Sequence, residues 1–161
     1  MGTYLVRHGV SEANHHGHPA FGSAEANLLP EGVRQAEELG AITLPELGIV
    51  PAETNVATST YARAIQTAGH AGFTALQTYS NLDEIKHGLT YEQFERMKQT
   101  RVLPAHALIA AEETLNNPPE ETVWVLHGLR IAAICQLVGV YGQSERLFPR
   151  FCEVRHIPFG D

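Results

Sequence analysis

The sequence predicts an α/β fold, a three-layer α/β/α sandwich in which helices cover both faces of a mostly parallel central sheet. Short β-rich runs alternate along the chain with segments of helical period, the pattern of strand–helix–strand units. One of these runs, Thr122-Val123-Trp124-Val125-Leu126, is apolar from its second residue onward, as a strand buried on both faces has to be. Two different runs stop at a His-Gly pair, where glycine allows the chain to turn sharply into a loop or a helix.

Thr3 to Val6 reads as the first strand and ends at Arg7-His8-Gly9. From His15 to Asn27 the chain carries Gly17, Pro19 and Gly22 among short polar residues with no period, so it is expected to be an exposed loop. Pro30-Glu31 opens a helix predicted to run to about Leu39, with Val33, Ala36 and Leu39 on one stripe and Gly40 as its stop. Asn55 to Thr58 is the second strand. It leads into a helix over Tyr61 to Ala71, where Ala62, Ile65, Ala68 and Gly69 recur at helical spacing.

A third strand is expected over Ala75 to Tyr79, ahead of a turn at Ser80-Asn81. Tyr91 to Gln99 and Pro104 to Leu115 both read as helices, the second facing Ala107, Leu108, Ala111 and Leu115 inward. After the apolar strand, Ile131 to Val138 is a helix. Val154 to Pro158 is placed at the sheet edge, because Pro158 has no N–H to give to a ladder.

Composition narrows the functional classes. With 43% hydrophobic and 18% charged residues, the chain of 161 residues is neither disordered nor coiled coil. No repeat, linker or low-complexity stretch divides it, so residues 1–161 are expected to form one domain with a short cap segment. The net charge of −7 disfavours nucleic acid and anionic membranes as partners, so an anionic ligand has to be held locally. Cys135 and Cys152 lack Cys-x-x-Cys spacing and read as buried free thiols. Met1 and Gly2 pass straight into the first strand without a basic lead or a long apolar run, and a cytoplasmic location is expected. Nothing in the sequence sets an oligomeric state.

Absent motifs remove further classes. There is no Gly-x-Ser-x-Gly elbow, Walker phosphate loop, dinucleotide Gly-x-Gly-x-x-Gly or His-Glu-x-x-His. What remains is Arg7, His8, Arg63, Glu84 and His127, each where a predicted strand gives way to a loop or helix start. Singly each is weak, but together they suit a phosphoryl group. Planar guanidinium groups offer paired donors that match phosphate oxygens. A neutral His8 can take the phosphoryl group covalently and surrender it to water. Arg7 and Arg63 would keep it neutral by charge repulsion, and its other ring nitrogen needs an acceptor such as a backbone carbonyl. Glu84 is the candidate to protonate the leaving alcohol and then activate water, and His127 the candidate donor to the equatorial oxygens.

A rival from another class is metal binding by His15, His16 and His18, disfavoured because adjacent histidines point apart in extended chain and no carboxylate set completes a site. Lys86, His87 and Arg130 are expected on the solvated surface, Trp124 in the core, and Ser11 as a support of the loop.

At this point the sequence resembles the histidine phosphatase superfamily, the phosphoglycerate mutase-like branch 1. Leu5-Val6-Arg7-His8-Gly9-Val10-Ser11 with Asn14 is similar to its nucleophile motif. The resemblance implies that His8 is phosphorylated and that Arg7 and Asn14 bind phosphoryl oxygens. Gly32-Val33-Arg34-Gln35-Ala36 is similar to the first helix of the family, and Ser59-Thr60-Tyr61-Ala62-Arg63-Ala64-Ile65-Gln66-Thr67-Ala68 to the segment bearing the second phosphate arginine, here Arg63. Leu82-Asp83-Glu84 resembles the donor segment, and Trp124-Val125-Leu126-His127-Gly128 the strand that ends in the second histidine, with Gly128 beside the phosphate.

Val10 stands where many relatives carry Glu or Gln, Leu129-Arg130 replaces a small residue, and the stretch from Glu84 to His127 is short. These departures leave the substrate open and imply an uncovered pocket, which favours a phosphatase over a phosphoglycerate mutase or a module that binds phosphate without turnover. The resemblance implies no cofactor and no metal. The expected partner is a phosphorylated small molecule or a phosphorylated protein.

Overall fold

The computed structural model describes residues 2–140 and 146–159. Its sheet has five strands: β1 (Thr3–Arg7), β2 (Asn55–Thr58), β3 (Ala75–Thr78), β4 (Val123–Leu126) and β5 (Val154–Ile157). They lie in the order β3-β2-β4-β1-β5. β1 to β4 pair in parallel, and β5 lies antiparallel on β1 at the edge where Pro158 places it.

The register sets up the site. Arg7 of β1 stands beside Leu126 of β4, so both His-Gly pairs leave neighbouring strands at the same end of the sheet. On the other side of β4, Thr58 of β2 stands beside Val125 and delivers Ser59 to the same edge. The ladder continues one step past each strand, with His8 N–H donating to the Leu126 carbonyl and Ser59 N–H to that of Val125.

Alternation along the strands divides the core into two layers. Val6, Val56, Val123 and Val125 face α1 (Pro30–Glu38), α2 (Leu44–Glu46) and α3 (Ala62–His70), which bring Ala36, Leu44, Ala64 and Ala68, with Leu39 between the first two. Leu5, Ala57, Trp124 and Leu126 face α4 (Tyr91–Thr100), α5 (Ala105–Asn116) and α6 (Gly128–Leu137), which bring Met97, Ala107, Ala111, Ile131 and Ile134. Each large side chain buried in this way contributes roughly 1.5–3 kcal/mol. The layered sandwich expected from the sequence is the one observed.

Some local expectations are corrected. Gly40 does not stop α1. The chain passes through a π turn, Leu39–Thr43, into α2 and leaves the helix at Leu47-Gly48, where Gly48 has φ of +79°. Gly40 is small for another reason: a Cβ there would collide with the Ala71 carbonyl at the end of α3. On α3 the buried face is Arg63, Ala64, Thr67 and Ala68, and Gly69 is exposed. That rotation turns Arg63 and Thr67 toward the strand ends. α6 starts at Gly128, earlier than the apolar period indicated. Arg130 is buried on it rather than solvated, because its guanidinium is taken up by the Asp83 and Ala110 carbonyls and the Thr114 hydroxyl.

Trp124 is in the core, its indole N–H donating to the Glu121 carbonyl. Cys135 and Cys152 are buried and free. No helix among the described residues is long and apolar enough to cross a membrane.

Candidate active site

Five of the residues singled out in the sequence meet at the carboxyl ends of β1, β2 and β4, where open parallel sheets bind ligands. The His8 and His127 rings are tilted with centroids 5.0 Å apart, and both side chains are buried. Arg63 reaches in from α3 and its Nε–H donates to Nε2 of His8 at 3.3 Å. Nδ1 of His8 lies 2.7 Å from the Gly9 carbonyl, which can only accept, so the ring proton belongs on Nδ1. Nε2 is then an unprotonated lone pair facing the cage. The backbone-carbonyl acceptor expected for this ring is present.

Arg7 closes the cage from the end of β1. Its guanidinium stacks 4.3 Å over Phe151 and donates one N–H to the Pro149 carbonyl at 2.7 Å, while its Nε is buried without a partner among the described residues. Gly128 lies against that guanidinium: a Cβ there would sit 3.2 Å from Nε of Arg7. Glu84 enters from the loop after Leu82, partly buried, and its carboxylate accepts the backbone N–H groups of Ile85, Leu129 and Arg130. It therefore caps α6, the helix that starts one residue after His127.

Asn14 stands apart. Its side-chain oxygen accepts from the N–H and hydroxyl of Ser11, which supports the loop as expected, and no hydrogen bond joins it to the cage among the described residues. His15 and His16 are exposed, His16 packing on Phe21, and His18 lies 3.8 Å from Glu12. Among the described residues no group of three or more His, Cys, Asp or Glu is placed to hold a metal ion.

The sequence profile of the histidine phosphatase superfamily (branch 1) matches residues 3–123, three quarters of the chain. The chain belongs to that superfamily. The matched span holds Arg7, His8, Arg63 and Glu84, and His127 follows it by four residues.

Solved structures agree on the fold of this superfamily member. TTHB049 of Thermus thermophilus is 20% identical with a TM-score of 0.67, covering 99% of this chain and 95% of its own. Rv3214 of Mycobacterium tuberculosis is 24% identical with a TM-score of 0.63 over 94% of this chain and 88% of its own. A phosphoserine phosphatase of Entamoeba histolytica is 18% identical with a TM-score of 0.62 over 99% of this chain and 94% of its own. No curated protein sequence matches the chain.

Electrostatics in the pocket of this superfamily member follow from burial among cations. Burial first, then Arg63 and Arg7, push the pKa of His8 well below its ordinary value. His127 is lowered likewise by burial, with His8 and Arg63 adding to it. Burial also brings Arg7 down to about 10, against which the Glu84 charge is the largest opposing influence. Burial pushes the Glu84 carboxyl up, and its three backbone N–H bonds pull it back.

Several residues that hold this arrangement carried no role in the sequence reading. Thr67 receives the Gly9 N–H and donates to the Arg63 carbonyl, tying the His8 loop to α3. Gln35 accepts from Val10 N–H and Gln66 from Leu28 N–H, so the glutamines of two matched segments fix the loop's start and return. Ser59 bonds His127. Their signal was membership of the matched segments; their partners lie too far along the chain for spacing to reveal.

Proposed function

We propose that this protein hydrolyses phosphomonoesters through a covalent phosphohistidine on His8. The observation that carries the reading is the pair of bonds on the His8 ring: Nδ1 tied to the Gly9 carbonyl, and Nε2 free of a proton beside Arg63. The Nε2 lone pair attacks phosphorus as the bond to the leaving oxygen breaks, and protonated Glu84 gives that oxygen its proton. Glu84 then takes a proton from water, whose oxygen attacks phosphorus and releases phosphate and neutral His8.

Arg7 and Arg63 hold the phosphoryl oxygens, with Gly128 allowing Arg7 its position. His127 stabilises the equatorial charge. Asn14 turns its oxygen to Ser11 and keeps its amide N–H groups for an oxygen of the substrate. α5 packs on α6 and into the core. The short stretch from Glu84 to His127 favours hydrolysis over transfer between phosphoglycerates.

The Entamoeba histolytica phosphoserine phosphatase was crystallised with 3-phosphoglyceric acid, and a mutant of it with phosphoserine. Small phosphate esters bearing a carboxylate therefore lead the substrate panel. Phosphate release is measured over that panel with and without EDTA, with His8→Ala as control and acid-labile phosphoenzyme trapped in parallel. Chelator-resistant release that disappears with His8→Ala is expected. Phosphoglycerate isomerisation without phosphate release identifies a mutase. Phosphate or vanadate binding without a phosphoenzyme identifies a binding module.

A further inference from the structure

We infer that Ser59 is a positioning residue of this pocket: its hydroxyl donates to Nε2 of His127, which places the ring proton on Nδ1 and makes that nitrogen a fixed donor for the bound phosphoryl group. The inference rests on the function proposed above for its consequence, and on geometry alone for the proton's position.

Ser59 is fully buried, one residue past β2, and its backbone is pinned by the N–H bond to the Val125 carbonyl. Its Oγ receives the Tyr61 N–H at 3.2 Å and lies 2.7 Å from Nε2 of His127. A hydroxyl has one hydrogen to give. Among the described residues Nε2 of His127 is the acceptor within reach of it. Were Nε2 protonated instead, the hydroxyl would accept twice and its hydrogen would be buried without a partner, which the fold has no reason to sustain. Donation by Ser59 satisfies both its own hydroxyl and Nε2 of His127 and leaves the ring proton on Nδ1, the nitrogen that lacks a partner in either tautomer.

Nδ1 of His127 is buried and makes no hydrogen bond among the described residues, in a ring 5.0 Å from that of His8. An unpaired buried N–H is a cost that a phosphoryl oxygen would remove. Both histidines thus carry their proton on Nδ1, to opposite ends. In His8 the Gly9 carbonyl consumes the N–H and the lone pair faces the cage, where it accepts from Arg63. In His127 the Ser59 hydroxyl consumes the lone pair and exposes the N–H.

The test is a long-range proton–nitrogen spectrum of the 15N-histidine-labelled protein, which reports the protonated ring nitrogen, read together with kinetics on the best substrate of the panel. The wild type is expected to show His127 protonated on Nδ1. Ser59→Ala is expected to shift the proton toward Nε2 and to lower kcat about 10–100-fold, less than loss of a donor itself, with KM changed much less. Ser59→Thr, which keeps the hydroxyl, is expected to retain the tautomer and most of kcat.

A wild-type spectrum with Nε2 protonated overturns the inference without recourse to any variant. So does Ser59→Ala with the tautomer and kcat both unchanged. A wild type that shows the Nδ1 proton but forms no phosphoenzyme on any substrate supports the tautomer assignment and removes the function proposed for the site, so the two failures are distinguishable.

Discussion

Oε2 of Glu84 accepts the backbone N–H of Leu129 at 3.1 Å across a separation of 45 residues. With the Arg130 N–H on Oε1, this carboxylate caps the N-terminus of α6. The candidate proton donor and His127 are therefore fixed to one helix end, and the distance between them is set by secondary structure rather than by a mobile loop. The helix N-terminus favours the carboxylate and burial favours the acid, the two states that the proposed donor and base roles require.

Glu84→Gln keeps the shape of the cap and removes the proton. On an alkyl phosphate, whose leaving oxygen needs protonation, kcat/KM is expected to fall by about 10²–10⁴-fold. On p-nitrophenyl phosphate, whose leaving group departs as the anion, the loss is expected to be much smaller. Equal losses on the two esters would contradict the donor assignment.

Acid is expected to destabilise the fold through its two buried imidazoles. His8 and His127 have folded-state pKa values well below those of the unfolded chain, mainly through burial. Their contribution is fully present above the ordinary histidine value. As pH falls below about 6.5 the unfolded chain gains a proton at each ring and the folded chain does not. Stability is then lost at up to about 1.4 kcal/mol per pH unit for each ring, until the folded-state values are reached. Glu84 works in the opposite sense, because its raised pKa lets the folded chain bind a proton first. Urea unfolding between pH 7.5 and 5 is expected to show a shallower acid loss for His127→Asn than for the wild type, and a steeper one for Glu84→Gln.

Arg130 braces the segment that carries Glu84. It donates to the Asp83 carbonyl, the Ala110 carbonyl and the Thr114 hydroxyl, while Asp83 in turn accepts from the N–H and hydroxyl of Thr60. Arg130→Met fills similar space and removes the donor to the Asp83 carbonyl and the Thr114 hydroxyl, for an expected loss of about 2–4 kcal/mol. Arg130→Lys cannot fork between them and is expected to recover less than half of it. Denaturant midpoints read the first effect. A parallel fall in kcat with KM nearly constant reads the displacement of Glu84.

Gly32 on α1 packs against the backbone of the His8 loop. A Cβ there would collide with the Val10 carbonyl and approach the Val10 nitrogen to 3.1 Å. Gly32→Ala is expected to cost about 1–3 kcal/mol in thermal unfolding, since backbone cannot move aside as a flexible side chain can. The strain falls on the loop whose Gly9 carbonyl holds Nδ1 of His8. A reduced rate of phosphoenzyme formation at temperatures where the variant is fully folded is therefore the measurement that matters.

What the sequence determined by itself is what depends on near neighbours and on residue type. Short β-rich runs between turn residues and segments of helical period placed every strand and the major helices, because each of these is a local pattern. The chemical types at the strand ends, two imidazoles, two guanidinium groups and a carboxylate, together suit a phosphoryl group. Only the tertiary structure decided the rest, because it depends on which groups meet across long separations in the chain. The sequence could not tell that Gly40 serves a close approach to Ala71 rather than a helix stop, that Arg130 is a buried brace, that Glu84 caps α6, or that Ser59 holds His127. Each of these is a contact whose partner is chosen by the packing of the sheet and its helices. Periodicity records the face a residue presents, and it carries no record of what that face will touch.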